Sequence, residues 1–494
     1  MRARFQLKPL ALAAALFCAV GGAHAAPPSQ GELIKLMEKL NQRMERLEQR
    51  NAELERELRD SRKQRPAAPA ADVEKRLQTL EQQQESIAKS LESDAISEKE
   101  PELTSRLKAV EMQAASMQSA TKKIDALDGV SAGFSLTTVA QKPYGTPGFG
   151  GQLNYRADAT VEVPLEPVGD IEHKVFAHVR LGQGEGVNSL SAFSRPNATA
   201  FRLPSLRADD SAAVLAEAWY QADIPLPFGG FKPQSKEKLE VTFGKMDPFV
   251  FFDQNAVAGD ESRQFLNVIF VHNPLLDAGG DIGVDANGFT PGLRLSYSNE
   301  SQKPQNWRVS LGLFGAGSQG NNYQRSLSSP LVMLQAETEQ RMLGGLAGNY
   351  RVYAWNNPRA DHFDGTTTER HSGWGISADQ RVGDGVTLFG RYGHQMQGNV
   401  SFDRAITLGA ELNGSYWNRG GDVLGMAAGW LRTSQDYRNF AVVGNAERAS
   451  ELYYRYRVNN QFELSPSFQY IGNPGGDSTA EAIKVLGLRA QLTY

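Results

Sequence analysis

Charged and hydrogen-bonding side chains fall at every second position in several stretches of this chain, and that spacing limits the chemistry they can do. Between Gln152 and Leu165, the residues Gln152, Asn154, Arg156, Asp158, Thr160 and Glu162 would share one face of an extended backbone. Leu153, Tyr155, Ala157, Ala159, Val161, Val163 and Leu165 would share the other. The same alternation puts Glu217, Trp219, Gln221, Asp223, Arg294, Arg308, Arg351, Trp355, Arg391, Arg455, Arg457 and Arg489 on the polar faces of their segments. Guanidinium groups, carboxylates and indoles together supply planar apolar surfaces for stacking and paired donors and acceptors for hydroxyls, which is what holding a sugar requires. The same groups could instead pair across neighbouring strands and hold a wall together. Their many arginines would also suit anions or organic acids.

Catalysis finds little support. The histidines beyond the N-terminal leader are His173, His178, His272, His362, His371 and His394, and none sits in an HExxH or comparable ligand spacing. A barrel hydrolase would need a nucleophile, a base and an orienting group on adjacent strands, and nothing in the pattern singles out such a trio. GxxxxGK[ST] and paired CxxC motifs are absent. The expectation is a protein that is not an enzyme and uses neither cofactor nor metal. A formal charge of -4 over 494 residues points to no nucleic-acid partner.

The elements that must position these side chains are strands of a membrane barrel. From Val485 to Tyr494, Leu486, Leu488, Ala490, Leu492 and Tyr494 alternate with Gly487, Arg489, Gln491 and Thr493, and the chain closes on an aromatic residue. At the other end, Arg2, Arg4 and Lys8 precede an apolar run from Leu10 to Val20, and Ala23-His24-Ala25 supplies small residues for cleavage. Residues 1–25 are therefore expected to be a signal peptide. Cys18, the only cysteine, lies inside it and leaves a mature chain without disulfides. An exported chain ending on such a strand reads as an outer-membrane barrel. No later run approaches the roughly 20 apolar residues of a spanning helix. A composition with 22% charged residues and a mean hydropathy of -0.43 fits a barrel that exposes only alternate residues to lipid.

Residues 26–128 carry a different period. Leu33, Leu40, Leu47 and Leu54 occupy d positions and Met37, Met44, Asn51 and Leu58 occupy a positions of heptads. The segment Arg65-Pro66-Ala67-Ala68-Pro69-Ala70 interrupts them as a stiff spacer near residues 65–71. Heptads resume through Val73, Leu77, Leu80, Gln84, Ile87 and Leu91 and again through Leu103, Leu107, Val110, Ala114, Met117 and Ile124. The pattern predicts a periplasmic coiled-coil stalk on the order of 100 Å long if helical throughout. It would self-associate, with a trimer favoured, or reach toward the cell wall; a single helix lying on the barrel is the simpler alternative.

From residue 129 to 494 the period becomes two. Alternation is clear at Ala216 to Ile224, Leu239 to Phe243, Leu293 to Tyr297, Trp307 to Leu313, Leu346 to Ala354, Trp374 to Ala378, Val386 to Tyr392, Leu424 to Trp430, Leu452 to Val458 and Phe462 to Tyr470. At the usual length of strand plus connection this domain holds about 16 antiparallel strands, or 18. Aromatics near strand ends, among them Tyr155, Trp219, Tyr220, Trp307, Trp355, Trp374, Trp430 and Tyr470, are candidates for interfacial girdles, some facing the lumen instead. A barrel of this width leaves an aqueous channel unless something folds inward. The long mixed segment from Lys245 to Asn267, with Asp253, Asp260, Glu261 and Arg263, is the candidate constriction, or else an external cap or subunit contact.

Several blocks resemble the OprB-type carbohydrate-selective porins. They are Phe243-Gly244-Lys245-Met246-Asp247-Pro248, Phe252-Asp253-Gln254-Asn255, Asp260-Glu261 and Gln264-Phe265-Leu266-Asn267, then Glu451-Leu452-Tyr453-Tyr454-Arg455-Tyr456, Gln469-Tyr470-Ile471-Gly472-Asn473-Pro474-Gly475-Gly476 and Val485-Leu486-Gly487-Leu488-Arg489. The resemblance implies a 16-stranded outer-membrane barrel passing mono- or small oligosaccharides by diffusion, with a constriction lined by arginines and acids. The expected pore-lining set is Arg156, Asp158, Glu162, Trp219, Gln221, Asp253, Asp260, Glu261, Arg263, Arg455, Arg457 and Arg489. An anion or organic-acid porin, and a structural tether between envelope layers, remain the alternatives.

Overall fold

The computed structural model describes residues 129–494 except 203–209, 229–234, 277–287, 303–304, 317–327 and 445. The expected signal peptide, coiled-coil stalk and Pro/Ala spacer lie outside the described residues. The first half of the barrel comprises β1 (Ser131–Tyr144), β2 (Gln152–Pro164), β3 (Glu172–Gln183), β4 (Ala212–Pro225), β5 (Glu237–Met246), β6 (Thr290–Gln302), β7 (Gln305–Phe314) and β8 (Leu331–Met342). The second comprises β9 (Leu346–Asp361), β10 (Thr368–Gly383), β11 (Val386–Gln397), β12 (Phe402–Asn413), β13 (Val423–Thr433), β14 (Ala446–Arg457), β15 (Phe462–Gly472) and β16 (Ile483–Thr493). Each strand pairs with its sequence neighbours, and β16 pairs back onto β1, so the sheet is a closed antiparallel barrel of 16 strands.

Closure depends on the decapeptide at the carboxyl end. The β1–β16 register runs from Ser135 opposite Thr493 to Tyr144 opposite Lys484. Phe134 N–H donates to the Tyr494 carbonyl at 2.9 Å, and Tyr494 N–H donates back to Phe134 at 2.8 Å. With no free edge, every strand finds ladder partners on both sides.

The alternation behaves as the side-chain period requires. In β2, Leu153 is 68% exposed while its neighbour Asn154 is 1% exposed. Leu215, Phe243, Leu334, Val352, Leu408, Leu452, Leu486 and Leu488 are likewise exposed on the outer face, as an apolar band meeting hydrocarbon should be. Trp307 and Tyr470 stand outward with it, whereas Trp219 and Trp355 are buried on the inner side and belong to no girdle.

Four strands, β1, β3, β8 and β12, lack clean alternation in the sequence, and all four carry apolar residues on the inner face. Val139, Leu331, Met333 and Phe402 are buried there, Phe176 is half-buried there, and β8 shows Thr338 and Gln340 outward. Beneath β1, β8 and β12 the polarity rule fails because chain fills the interior, whereas Phe176 of β3 stays half-buried. The connection after β5 folds inward, including helix α1 (Val268–Val271), all four residues of which are buried. A second connection, after β3, lies inside as well, with Val187, Leu190 and Phe201 buried. Helix α2 (Gln435–Ala441) lies in the β13–β14 connection.

Connections at one end run no longer than 226–236 and include the tight turns 343–345, 384–385 and 458–461, while the other end carries the long connections 184–211, 247–289 and 315–330. The two inward-folding connections leave from the other end. Short turns mark the periplasmic side of such barrels and long loops the external side, so β1 starts and β16 finishes at the periplasmic side.

Replacing Leu488 by arginine puts a cation on the lipid face and should cost about 2–4 kcal/mol if the position is near the bilayer midplane. Urea titration of the protein folded into vesicles measures this; an unchanged midpoint would mean that Leu488 does not face lipid.

Candidate functional site

The inward connection is pinned first at Asp253. This residue has a left-handed backbone (φ 53°), a conformation that the short polar side chain of aspartate tolerates. Its carboxylate accepts from Arg391 Nε at 3.0 Å, from the Tyr353 hydroxyl at 2.8 Å and from Asn273 N–H at 2.5 Å. Both side chains of the Arg391–Asp253 pair are fully buried. Arg391 also donates to the carbonyls of Phe270, Asp253 and Ala258, so one guanidinium from β11 fixes three points of the connection.

Apolar contacts and missing side chains complete the seat. Phe265 packs against Phe389 and Tyr453 at ring separations of 5.5 and 5.0 Å, and Phe252 meets Phe314 edge-on. A Cβ on the inward Gly429 would lie 2.8 Å from Ile269, and one on Gly393 would collide with Asn273 and Leu275. Glycine at these positions makes room for the connection where an ordinary inner-face side chain would exclude it.

Opposite β14 to β16, carboxylates and arginines grip backbone. Glu451 accepts from the N–H groups of Leu266 and Asn267, both at 2.8 Å. Arg489 donates to the carbonyls of Glu261 and Gln264 at 2.8 Å each. Arg263 pairs with Glu463 at 2.5 Å, and Arg455 reaches the same carboxylate at 3.9 Å while donating to the Arg263 carbonyl. The second inward connection is held alike: Glu447 accepts from Phe193 and Ser194 N–H, and both Gln141 and Gln469 donate to the Pro196 carbonyl. The two connections touch each other, through Ala198 N–H to Leu266 and Val268 N–H to Arg195.

On the β2–β4 side the contact is Arg156 to Glu261 at 2.7 Å. Arg156 also binds Asp158 at 2.9 Å, and Asp158 accepts from Arg180 and meets His178. Burial opposes the charge on Glu261, but Arg156 and Arg180 outweigh it and hold that carboxyl below its ordinary value. Asp260 has the opposite fate: burial, reinforced by the adjacent Glu261 charge, pushes it up to about 6.

Two features remain on the inner wall from β2 to β10. The first is a ladder of alternating charge across six strands: Arg294 to Glu240 at 3.0 Å, Glu240 to Arg308 at 3.1 Å, Arg308 to Glu337 at 3.5 Å, Glu337 to Arg351 at 3.7 Å and Arg351 to Asp379 at 3.0 Å. For Arg294, Arg308 and Arg351 the cross-strand pairing considered from sequence is what the geometry shows. The second is aromatic. Phe176 stacks on Trp219 at 4.8 Å with a 24° tilt, and Phe251 of the inward connection meets Trp219 at 5.9 Å. In register, Phe176 lies opposite both Glu162 and Trp219, and Lys174 lies opposite Gln221. Lys174 pairs with Glu162 at 2.9 Å, and Arg294 stands over the Phe251 ring at 4.7 Å.

The twelve candidate residues thus fall into groups. Glu162, Trp219 and Gln221 share the aromatic patch; Arg156, Asp158 and Glu261 form one contact to the inward connection; Asp260, Arg263, Arg455 and Arg489 lie along another. Asp253 is buried beneath the connection with Arg391. Arg457 is exposed at the end of β14, donating to Asn460 in the 458–461 turn, apart from the other eleven. Sequence reasoning missed Phe176, Phe251 and the anchoring acids Glu447 and Glu451. Inward parity alone could have flagged Glu447 and Glu451; nothing local announces that Phe176 has a ring opposite it.

A family model described as carbohydrate-selective porin, OprB family, matches residues 205–494. No curated protein matches the sequence. Among solved structures, the high-pH structure of Pseudomonas putida OprB superposes with a TM-score of 0.59 at 19% identity, covering 74% of this chain and 94% of that one. A mutant of the Rh. blastica porin gives 0.40 at 10% identity, with 74% and 100% covered. The first likeness supports the barrel fold; the second carries no weight.

Replacing Asp253 by alanine strands the Arg391 charge and should cost about 3–5 kcal/mol, whereas replacing both residues with apolar ones should cost less. Chemical unfolding of the single and double variants tests this, and a single variant as stable as the parent would show that the pair does not anchor the connection. Asp260 binds its proton more tightly folded than unfolded, so its contribution to stability is full below the ordinary aspartate pKa and is lost as pH rises through about 6. The Asp260→Asn variant should therefore lose part of the decline in Tm that the parent shows between pH 4 and 7; identical profiles would refute the assignment.

Proposed function

Because the chain belongs to the OprB family of carbohydrate-selective porins, passive outer-membrane channels for sugars, we propose that its substrate bias arises at the patch formed by Phe176, Phe251 and Trp219. The observation that carries this reading is the Phe176–Trp219 stack flanked in register by Glu162, Lys174 and Gln221. Half-buried Phe176 and Phe251 offer ring faces to the apolar side of a pyranose, and Trp219, held through Nε1 by Glu217, braces them from behind. Carboxylate, ammonium and amide groups at the ring edges suit hydroxyls as donors and acceptors.

Arg156, Asp158, Asp260, Glu261, Arg263, Arg455 and Arg489 act, in this reading, as the frame that sets the bore. Asp253 works one layer deeper, and Arg457 at the periplasmic mouth. The preference for neutral solutes over anions follows from pairing: Arg156, Arg294, Arg308, Arg351, Arg391 and Arg455 each have a carboxylate within 4 Å, so they create little uncompensated positive field. Weak stacking on successive rings gives bias without trapping the solute, and the gradient alone drives flux.

The heptads before residue 129 support a further assignment, a coiled coil on the periplasmic side, where β1 begins, that joins barrels as trimers or contacts the cell wall.

Liposome swelling compares these readings. Phe176→Ala should slow sugar entry roughly twofold to tenfold, the worth of one stacking contact, while leaving ion conductance near the parent value. Equal permeation of sugars and dicarboxylates by the parent protein would defeat the selectivity claim. Deleting residues 31–125 should abolish trimers in sedimentation without changing sugar flux; trimers that persist would remove the stalk from assembly.

A further inference from the structure

Cations recur on the outer face of the barrel near its external rim. Arg404 in β12, Arg432 in β13, Arg448 in β14, Lys484 in β16 and Lys142 in β1 each alternate with buried inward residues such as Ala405, Leu431, Glu447, Val485 and Gln141. By strand parity all five point toward lipid. Arg432 faces Ala446, two residues before Arg448, and Lys484 faces Tyr144, two residues beyond Lys142. The cations therefore step along β12, β13 and β14 and, past β15, along β16 and β1, in the sense in which the strand ends themselves step, and follow one rim.

Three observations separate this rim from ordinary solvated charge. Arg404 and Arg432 lie directly opposite each other in register, a like-charge pairing that costs stability unless an anion lies between them. Among the described residues, none of the five cations forms an ion pair, in contrast to the inward arginines. Arg404 Nε is buried with no hydrogen-bond partner among the described residues. Just below the rim the outer face turns apolar and aromatic, with Ile406, Leu408, Tyr470 and Leu486 exposed.

Charge above an apolar band at the long-loop end defines the partner by chemistry: an amphiphile with acyl chains to cover the band and an anionic head at the level of the guanidiniums. We propose that this rim binds the phosphate groups of a phosphorylated glycolipid in the outer leaflet, one phosphate bridging Arg404 and Arg432 on adjacent strands. Strands lie about 4.8 Å apart, so two guanidinium forks can converge on one phosphate with charge-assisted bonds. Charge complementarity selects this occupant. A second copy of the chain meeting the same patch by two-fold symmetry would set cation against cation.

The full-length protein in phosphatidylcholine nanodiscs, titrated with diphosphorylated lipid A and with its dephosphorylated form, tests the proposal without any variant. The phosphorylated lipid should raise Tm and remain bound in native mass spectra, and the dephosphorylated lipid should do neither. Neutralising three cations, as Arg404→Gln, Arg432→Gln and Lys484→Gln together, should weaken binding on the order of 100-fold, at roughly fivefold per cation. Equal stabilisation by both lipids would overturn the proposal, as would an equal effect of inorganic phosphate alone, which would make the rim a free-anion site. Unchanged lipid retention by the triple variant together with a changed oligomeric state would overturn it in favour of a contact between copies.

Discussion

A wide barrel with a segment of chain folded into it must hold that segment against water on one side and an apolar wall on the other, and here the buried Arg391–Asp253 pair does so. Neither charge is tolerable alone in that position, so each fixes the other. The remaining donors of Arg391 then organise Phe270, Asp253 and Ala258, and the left-handed turn at Asp253 aims its carboxylate back at β9 and β11. Apolar residues on the inner face of β7, β8 and β11, and inward glycines on β11 and β13, make sense only once this connection is in place. Without it they would face water.

The same requirement governs the charges of the interior. A lumen rich in arginine could be a positively charged filter, yet most of its guanidiniums are held by carboxylates on adjacent strands or by carbonyls of the inward connections. Glu240 serves two arginines, and Glu463 serves Arg263 and Arg455. Side chains committed in this way cannot follow a passing solute, so they give the bore a fixed shape and leave discrimination to surfaces that are partly uncovered. Phe176 and Phe251 are such surfaces, and the Glu162–Lys174 pair beside them remains partly solvated.

Much of the barrel is legible in the sequence because one physical rule, apolar outward and polar inward, applies strand by strand. Twelve of the sixteen strands contain a stretch of alternation visible in the sequence, and the final strand keeps it from Leu486 to Tyr494. The inner face departs from the rule wherever chain rather than water lies beneath it, as at Val139 of β1, Met333 of β8, Phe402 of β12 and Leu431 of β13, a fact set by residues far away. The candidate site is less legible for the same reason. That Arg156 meets Glu261 across 105 positions, or that Phe176 stacks on Trp219, depends on register and on where a connection folds. The segment from Lys245 to Asn267 stands out by its mixed composition, but the connection carrying Ser194 and Pro196 has no comparable signature.

Arginine therefore has two uses in this molecule, and strand parity combined with pairing tells them apart. Inward arginines have partners supplied by the fold itself; Arg404, Arg432 and Arg448, outward at the external rim, have none among the described residues. An uncompensated cation is inexpensive in bulk water but not beside an apolar wall, where half of its solvation sphere is hydrocarbon. Five such groups along one rim imply that the membrane, not the protein, supplies the compensating charge. On that basis the stability of the outer wall depends on the composition of the surrounding leaflet, while the width of the bore, fixed by internal pairs, does not.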